Sequence, residues 1–167
     1  MNSSEQARRA TITTKGDREI HIERIFDAPR ERVFAVFIDP ELIPQWWGPY
    51  NTETIVEEME PRTGGDWRYL SRGADGTEIT FRGTYREVTP PERIVQTFEW
   101  DGMPGHVSVD SSEFIDLGER TKVVTTSLFM VGEERDGMIE SGMEGGLNET
   151  YERLDAVLAE SGVEPTR

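Results

Sequence analysis

EERDGMIESGMEGGLNETYERLDAVL, residues 133–158, reads as one long amphipathic helix. At about 100° per residue, Ile139, Met143, Gly146, Leu147, Thr150, Tyr151, Leu154, Val157 and Leu158 fall on one face, a continuous stripe of helical period. From Leu147 onward that face is bulky and predicts a sealed core. Before it the stripe is thin, and Gly137, Gly142, Gly145 and Gly146 crowd the first half. Each interior glycine costs roughly 1 kcal/mol relative to alanine, so the four need either close backbone packing or a cavity as their reason.

Upstream of the helix the chain is strand and turn for some eighty residues, punctuated by Gly64-Gly65, Gly73 to Gly76, Pro90-Pro91, Asp101 to Gly105 and Gly118. Six antiparallel strands fit, near 52–59, 65–72, 77–88, 93–100, 106–115 and 121–130. Their alternation places Trp67, Tyr69 and Ser71 on one face of the second, Ile79, Phe81, Gly83 and Tyr85 on the third, and Ile94, Gln96, Phe98 and Trp100 on the fourth. The opposite faces are rich in arginine, threonine and glutamate, as suits a sheet wetted on one side. A further strand, Arg18 to Asp27, precedes them, with Ile20, Ile22, Arg24 and Phe26 inward. Between it and the meander, the Pro29 and Asp39-Pro40 signals predict two short helices, the second running from about Pro40 to Trp46 and stopping at Gly48-Pro49. The expected fold is α+β: a curved antiparallel sheet of about seven strands gripping a long C-terminal helix. Residues 1–16 are expected to be a flexible arm, although Thr11 to Thr14 could add an edge strand. A single domain over 17–160 and a short tail at 161–167 complete the reading.

A chain of 167 residues is one domain by size and can bury about two-thirds of its unfolded surface. It has no cysteine, which excludes disulfides, thiolate metal sites and cysteine nucleophiles. The formal charge of −15, from 33 acids against 18 bases, disfavours nucleic acid and anionic membranes as partners. No apolar run reaches membrane-spanning length, and Met1 to Asp17 lacks a signal-peptide core, so the expected location is cytoplasmic.

Four segments in order, FDAPRERVFAVFIDPELIPQWWGP (26–49), EPRTGGDWRY (60–69), RGTYREVTPPERIVQTFEW (82–100) and the helix quoted above, resemble the SRPBCC superfamily of START-like and Bet v 1-like helix-grip folds. Within it they look like the bacterial family related to the C-terminal domain of the activator of heat-shock protein 90 ATPase. The resemblance implies a cavity between sheet and helix, and places the Trp46-Trp47 pair near one end of it, as a lid or as a hydrophobic plug. The residue parities independently suggest a lining of Trp67, Tyr69, Phe81, Phe98 and Trp100 from the sheet and Ile139, Met143 and Gly146 from the helix, with Val109, Val123 and Thr125 as weaker additions.

Arg24 is the sharpest polar clue, because an unpaired buried charge costs several kcal/mol. Its expected partner is Glu60 or a glutamate of the 53–58 strand, or else a ligand's carboxylate or phenolate oxygen. Tyr69, Tyr85 or Glu87 could do acid-base work at a pocket wall. The two histidines, His21 and His106, form no triad with Ser111 or Ser112, and no metal or cofactor motif is present in the sequence. The expected function is noncatalytic binding of a small, largely hydrophobic molecule of aromatic, lipid or polyketide-like type. The alternatives are a polyketide cyclase or aromatase using the same cavity, and a co-chaperone-like interaction module. A homodimer or a protein partner stays open.

Overall fold

In the computed structural model the alternating segments pair into one eight-stranded antiparallel sheet. Its strands are β1 Thr11–Lys15, β2 Glu19–Phe26, β3 Thr52–Met59, β4 Asp66–Gly73, β5 Glu78–Thr89, β6 Arg93–Trp100, β7 Val107–Asp116 and β8 Thr121–Leu128. The structure describes residues 9–162, with side-chain surroundings for 9–160. The order across the sheet is β1-β2-β8-β7-β6-β5-β4-β3, so the meander runs consecutively and β2 closes against its last strand. Two short helices, α1 Arg30–Phe37 and α2 Ile43–Trp46, link β2 to β3, and α3 Gly132–Glu140 and α4 Met143–Gly162 follow β8. The result is the α+β helix-grip arrangement, with one strand more than the seven expected.

The extra strand is β1, which pairs with β2 from Thr11↔Glu23 to Lys15↔Glu19. Ile12 packs on the core, and the Ala10 amide donates to Asn148 Oδ1 on α4 at 3.0 Å. Residues 9–16 therefore belong to the domain, and the boundary expected at 17 moves towards the N-terminus. The remainder of the expected arm, residues 1–8, lies outside the described residues, as do residues 163–167 of the expected tail. No helix is long and apolar enough to cross a membrane among the described residues.

The single helix expected over 133–158 is two. Gly142 has φ +83, a backbone conformation that glycine adopts without strain, and it turns the chain between α3 and α4. The Ser141 hydroxyl and amide both bond back to the Met138 carbonyl, closing the last turn of α3. Downstream the expected stripe is realised: Tyr151, Leu154, Val157 and Leu158 are buried on α4. Upstream it is not. No residue of α3 is buried, and Ile139 is 37% exposed. At Gly137, Gly142, Gly145 and Gly146 an added β-carbon would meet no atom within 4 Å, so close packing is not their reason.

Arg24 is buried, as its parity on β2 requires, and its partner is Asp155 on α4. The guanidinium donates to both carboxylate oxygens, at 2.9 and 2.7 Å, and also to the Ile25 carbonyl at 2.9 Å. This forked geometry ties the helix to the second strand while Phe26 and Tyr151 pack edge to face beside it, centroids 5.2 Å apart. Arg153, two residues before Asp155 and so on another side of the helix, donates to the Pro44, Gly48 and Pro49 carbonyls and so fixes α2 to the same helix.

Removing Asp155 strands a charge whose side chain is 1% exposed. Asp155→Ala is therefore expected to lower unfolding free energy by about 3 kcal/mol, and Arg24→Met, which removes the charge and keeps the bulk, by distinctly less. Urea denaturation of the two variants checks the ordering.

Candidate functional site

Between the sheet and the N-terminal half of α4 the side chains do not meet. They leave a cavity of about 290 Å³, with Ile43, Trp46 and Trp47 of the α2 corner in its lining. One wall is aromatic. Trp67 sits opposite Gly83 on the neighbouring strand, and a β-carbon at 83 would collide with the Thr97 carbonyl and the Trp67 indole. Glycine there lets the indole lie flat enough on the sheet to donate from Nε1 to the Thr97 carbonyl at 3.2 Å. Tyr69 stacks at 4.8 Å from Trp67, and Trp47 stands edge-on to Tyr69 at 5.1 Å. Phe98 continues the wall, 5.9 Å from Trp67.

The floor is polar, and three central strands build it. Cross-strand register places Tyr85 beside Gln96, Gln96 beside Asp110, and Asp110 beside Ser127. In the next rung Ser112 and Thr125 are partners, their hydroxyls 2.9 Å apart. Gln96, Asp110, Ser112, Thr125 and Ser127 all line the cavity, with Leu147, Thr150 and Tyr151 closing it from the helix. Burial pushes the Asp110 carboxyl up to about 6, only partly offset by a hydrogen bond from Ser127. Burial likewise raises Tyr85 to about 12, against the lowering effect of its hydrogen bond with Tyr69. Tyr151 also rises to about 12, chiefly by burial, with Arg24 acting against the shift and Asp110 adding to it. Tyr69 is raised further still, again mainly by burial. At neutral pH the phenols are neutral, and Asp110 is the one lining group that titrates near physiological pH.

The residues singled out from the sequence divide in three. Trp46, Trp47, Trp67, Tyr69, Tyr85 and Phe98 line this cavity. Trp46 is also a packing unit, 4% exposed and 5.1 Å from Phe37, with an indole N–H that finds no partner; Trp47 is the more open of the pair. Phe81 and Arg24 lie outside the lining. Phe81 supports it from behind, packed on Trp47 and Phe98, and Arg24 is occupied by Asp155 instead of by Glu60, the 53–58 glutamates or the cavity. The remaining four lie off the cavity, three with the broken helix and one at the end of β6. Ile139 and Met143 face β1 across a surface groove that includes Ile12. Gly146 lines neither space, and Trp100, 38% exposed, stands over Gly102 in a second, more open groove of about 560 Å³ beside α3 with Met103, His106 and Met138. Of the weaker additions, Thr125 lines the cavity and Val123 is core, whereas Val109 faces away because Asp110 and Ser112 take the inward positions of β7.

His106 bonds Glu134 on α3, and His21 bonds Glu19 at 2.9 Å. Glu58, Glu60 and Asp66 converge at the surface end of β3 and β4, all exposed, as the acidic run at 57–60 suggests for a solvated strand end.

Residues 27–159 match the family described as Activator of Hsp90 ATPase homolog 1-like protein. Among solved structures, a protein from Rhodobacter sphaeroides superposes with TM-score 0.85 at 23% identity, over 91% of this chain and 99% of that one. One from Arthrobacter aurescens gives 0.82 at 29%, over 90% and 91%. An Hsp90 activator from Plasmodium falciparum gives 0.55 at 16%, over 85% and 96%, a likeness of fold alone. No curated protein matches the chain.

A carboxyl whose folded pKa is raised favours the folded state while protonated, and that contribution is lost as pH rises through its folded value. Asp110 thus makes stability fall between about pH 4 and pH 6, by on the order of 2 kcal/mol. Asp110→Asn, which keeps the shape and can still bond Ser127, is expected to remove that fall and to raise the melting temperature at pH 7 above that of the parent. Thermal melts at pH 4.5 and pH 7 check both signs.

Proposed function

We propose that this chain, which belongs to the Activator of Hsp90 ATPase homolog 1-like family, binds a small, mostly apolar molecule bearing one polar end. The observation that carries the reading is the two-sided cavity: an aromatic wall of Trp47, Trp67, Tyr69 and Phe98 faces a floor of Gln96, Asp110, Ser112, Thr125 and Ser127. Such a surface positions an amphiphilic guest in one orientation, apolar body to the rings and polar tip to the sheet. A packed core has no use for five polar side chains in a row, since each costs free energy unless it finds a partner.

Size narrows the guest. A cavity of about 290 Å³ is at the small end of natural binding sites and larger than the roughly 150 Å³ that admits benzene in an engineered core. It suits a single substituted ring better than a long acyl chain or an extended polyketide. Burying about 300 Å² of apolar ligand surface contributes about 7 kcal/mol before the cost of association, so micromolar or weaker affinity is expected unless the polar floor adds to it.

The three tryptophans of the lining are built-in reporters. Native mass spectrometry of gently purified protein is expected to show a retained small molecule, and its removal or replacement is expected to shift tryptophan fluorescence. Leu147→Trp, which drives bulk from α4 into the cavity, is expected to abolish retention and leave the fold intact by circular dichroism. A stoichiometric protein in place of a small molecule would support an interaction module instead.

A further inference from the structure

We propose that the guest is a small organic amine, held as its ammonium form with the nitrogen against the Asp110 carboxylate and the hydrocarbon against the aromatic wall. This rests on the binding reading above and deepens it by assigning the charge of the ligand.

Four observations point the same way. Asp110 is the one acid in the lining, and no lysine, arginine or histidine accompanies it there. Its protein partner is the Ser127 hydroxyl, and it forms no ion pair among the described residues. The guanidinium of Arg24 lies outside the lining, with its two terminal nitrogens on Asp155 and the Ile25 carbonyl and its buried Nε without a partner. An anionic guest would therefore meet a carboxylate with no compensating cation, and a pure hydrocarbon would leave that carboxylate unpaired in a site that resists its ionisation.

In the same lining as Asp110, the rings of Trp47, Trp67 and Tyr69 form the kind of wall that attracts cations through the ring quadrupole. The remaining floor groups suit an ammonium as well. Gln96 carries an amide oxygen, and Ser112 and Thr125 offer hydroxyl oxygens, so the three N–H bonds of a primary ammonium find acceptors. Finally, a formal charge of −15 draws cations towards the whole surface and repels anions before they reach the cleft.

The test uses three probes that share a phenylethyl or benzyl body: 2-phenylethylamine, 2-phenylethanol and phenylacetate, titrated into the whole protein at pH 7.5 by calorimetry and tryptophan fluorescence. The amine is expected to bind about tenfold or more tightly than the alcohol, with phenylacetate weakest, as a charge-assisted bond would give. In Asp110→Asn the amine is expected to lose about tenfold while the alcohol changes little. Asp110→Ser, smaller and neutral, serves as the second variant, with the same loss expected. Equal binding of amine and alcohol, tighter binding of phenylacetate, or an amine preference that survives both variants would overturn the assignment while leaving the cavity reading standing. If none of the probes binds and no small molecule is retained on purification, both fall together.

Discussion

The forked bond between Arg24 on β2 and Asp155 on α4 sets where the last helix can lie. A guanidinium that is almost wholly buried must be matched, and among the described residues the acid that pairs with it is Asp155 of the helix. Once that pair forms, the stripe of Tyr151, Leu154, Val157 and Leu158 is pressed on the strands around it and on α1, and the C-terminal half of the helix is sealed. Replacing such a pair with apolar residues often costs little in stability, so its value here is positional: it fixes the C-terminal half of the helix against β2, and the cavity lies beside the half that precedes it. Arg153 reinforces the same placement by holding the Trp46-Trp47 corner through three carbonyls.

The lining of that cavity is apolar in one part and polar in another. β4 and β6 supply Trp67, Tyr69 and Phe98, and the central strands β6, β7 and β8 supply Gln96, Asp110, Ser112, Thr125 and Ser127. Two hydroxyls satisfy each other, Ser127 serves Asp110, and the carboxyl remains without a counter-charge. Stability alone does not favour that arrangement, because burial raises the acid's pKa and works against its ionised form at neutral pH. Sites that carry such a cost are commonly the ones that recognise a ligand.

Much of the architecture could be read from periodicity. The helical stripe after Leu147, the alternating strands and the inward Arg24 all follow from spacing, because burial on one face leaves a repeating mark. Three features escaped it. Asp155 lies between Leu154 and Val157 on the helix, so pattern alone treats it as solvent-facing, and only the three-dimensional crossing brings it onto Arg24. The helix break at Gly142 is hidden because Ile139 and Met143 keep the four-residue spacing across it; the Ser141-Gly142 pair was the available signal. Asp110 was missed because Val107 and Val109 mimic an inward face on β7, whereas Phe114, buried at 2%, gives the true parity. Pairing Phe114 with Val123 and Asp110 with Ser127 would have reversed the assignment.

Magnetisation transfer from a bound aromatic guest to the methyl groups of the protein reports most directly on whether the cleft is a binding site. With 2-phenylethanol present, the account expects intermolecular cross-peaks to the methyls of Ile22, Ile94, Thr125 and Leu147, which come together only around the cavity. Cross-peaks confined to Met103 and Met138, in the groove beside α3, or none at all, would contradict it.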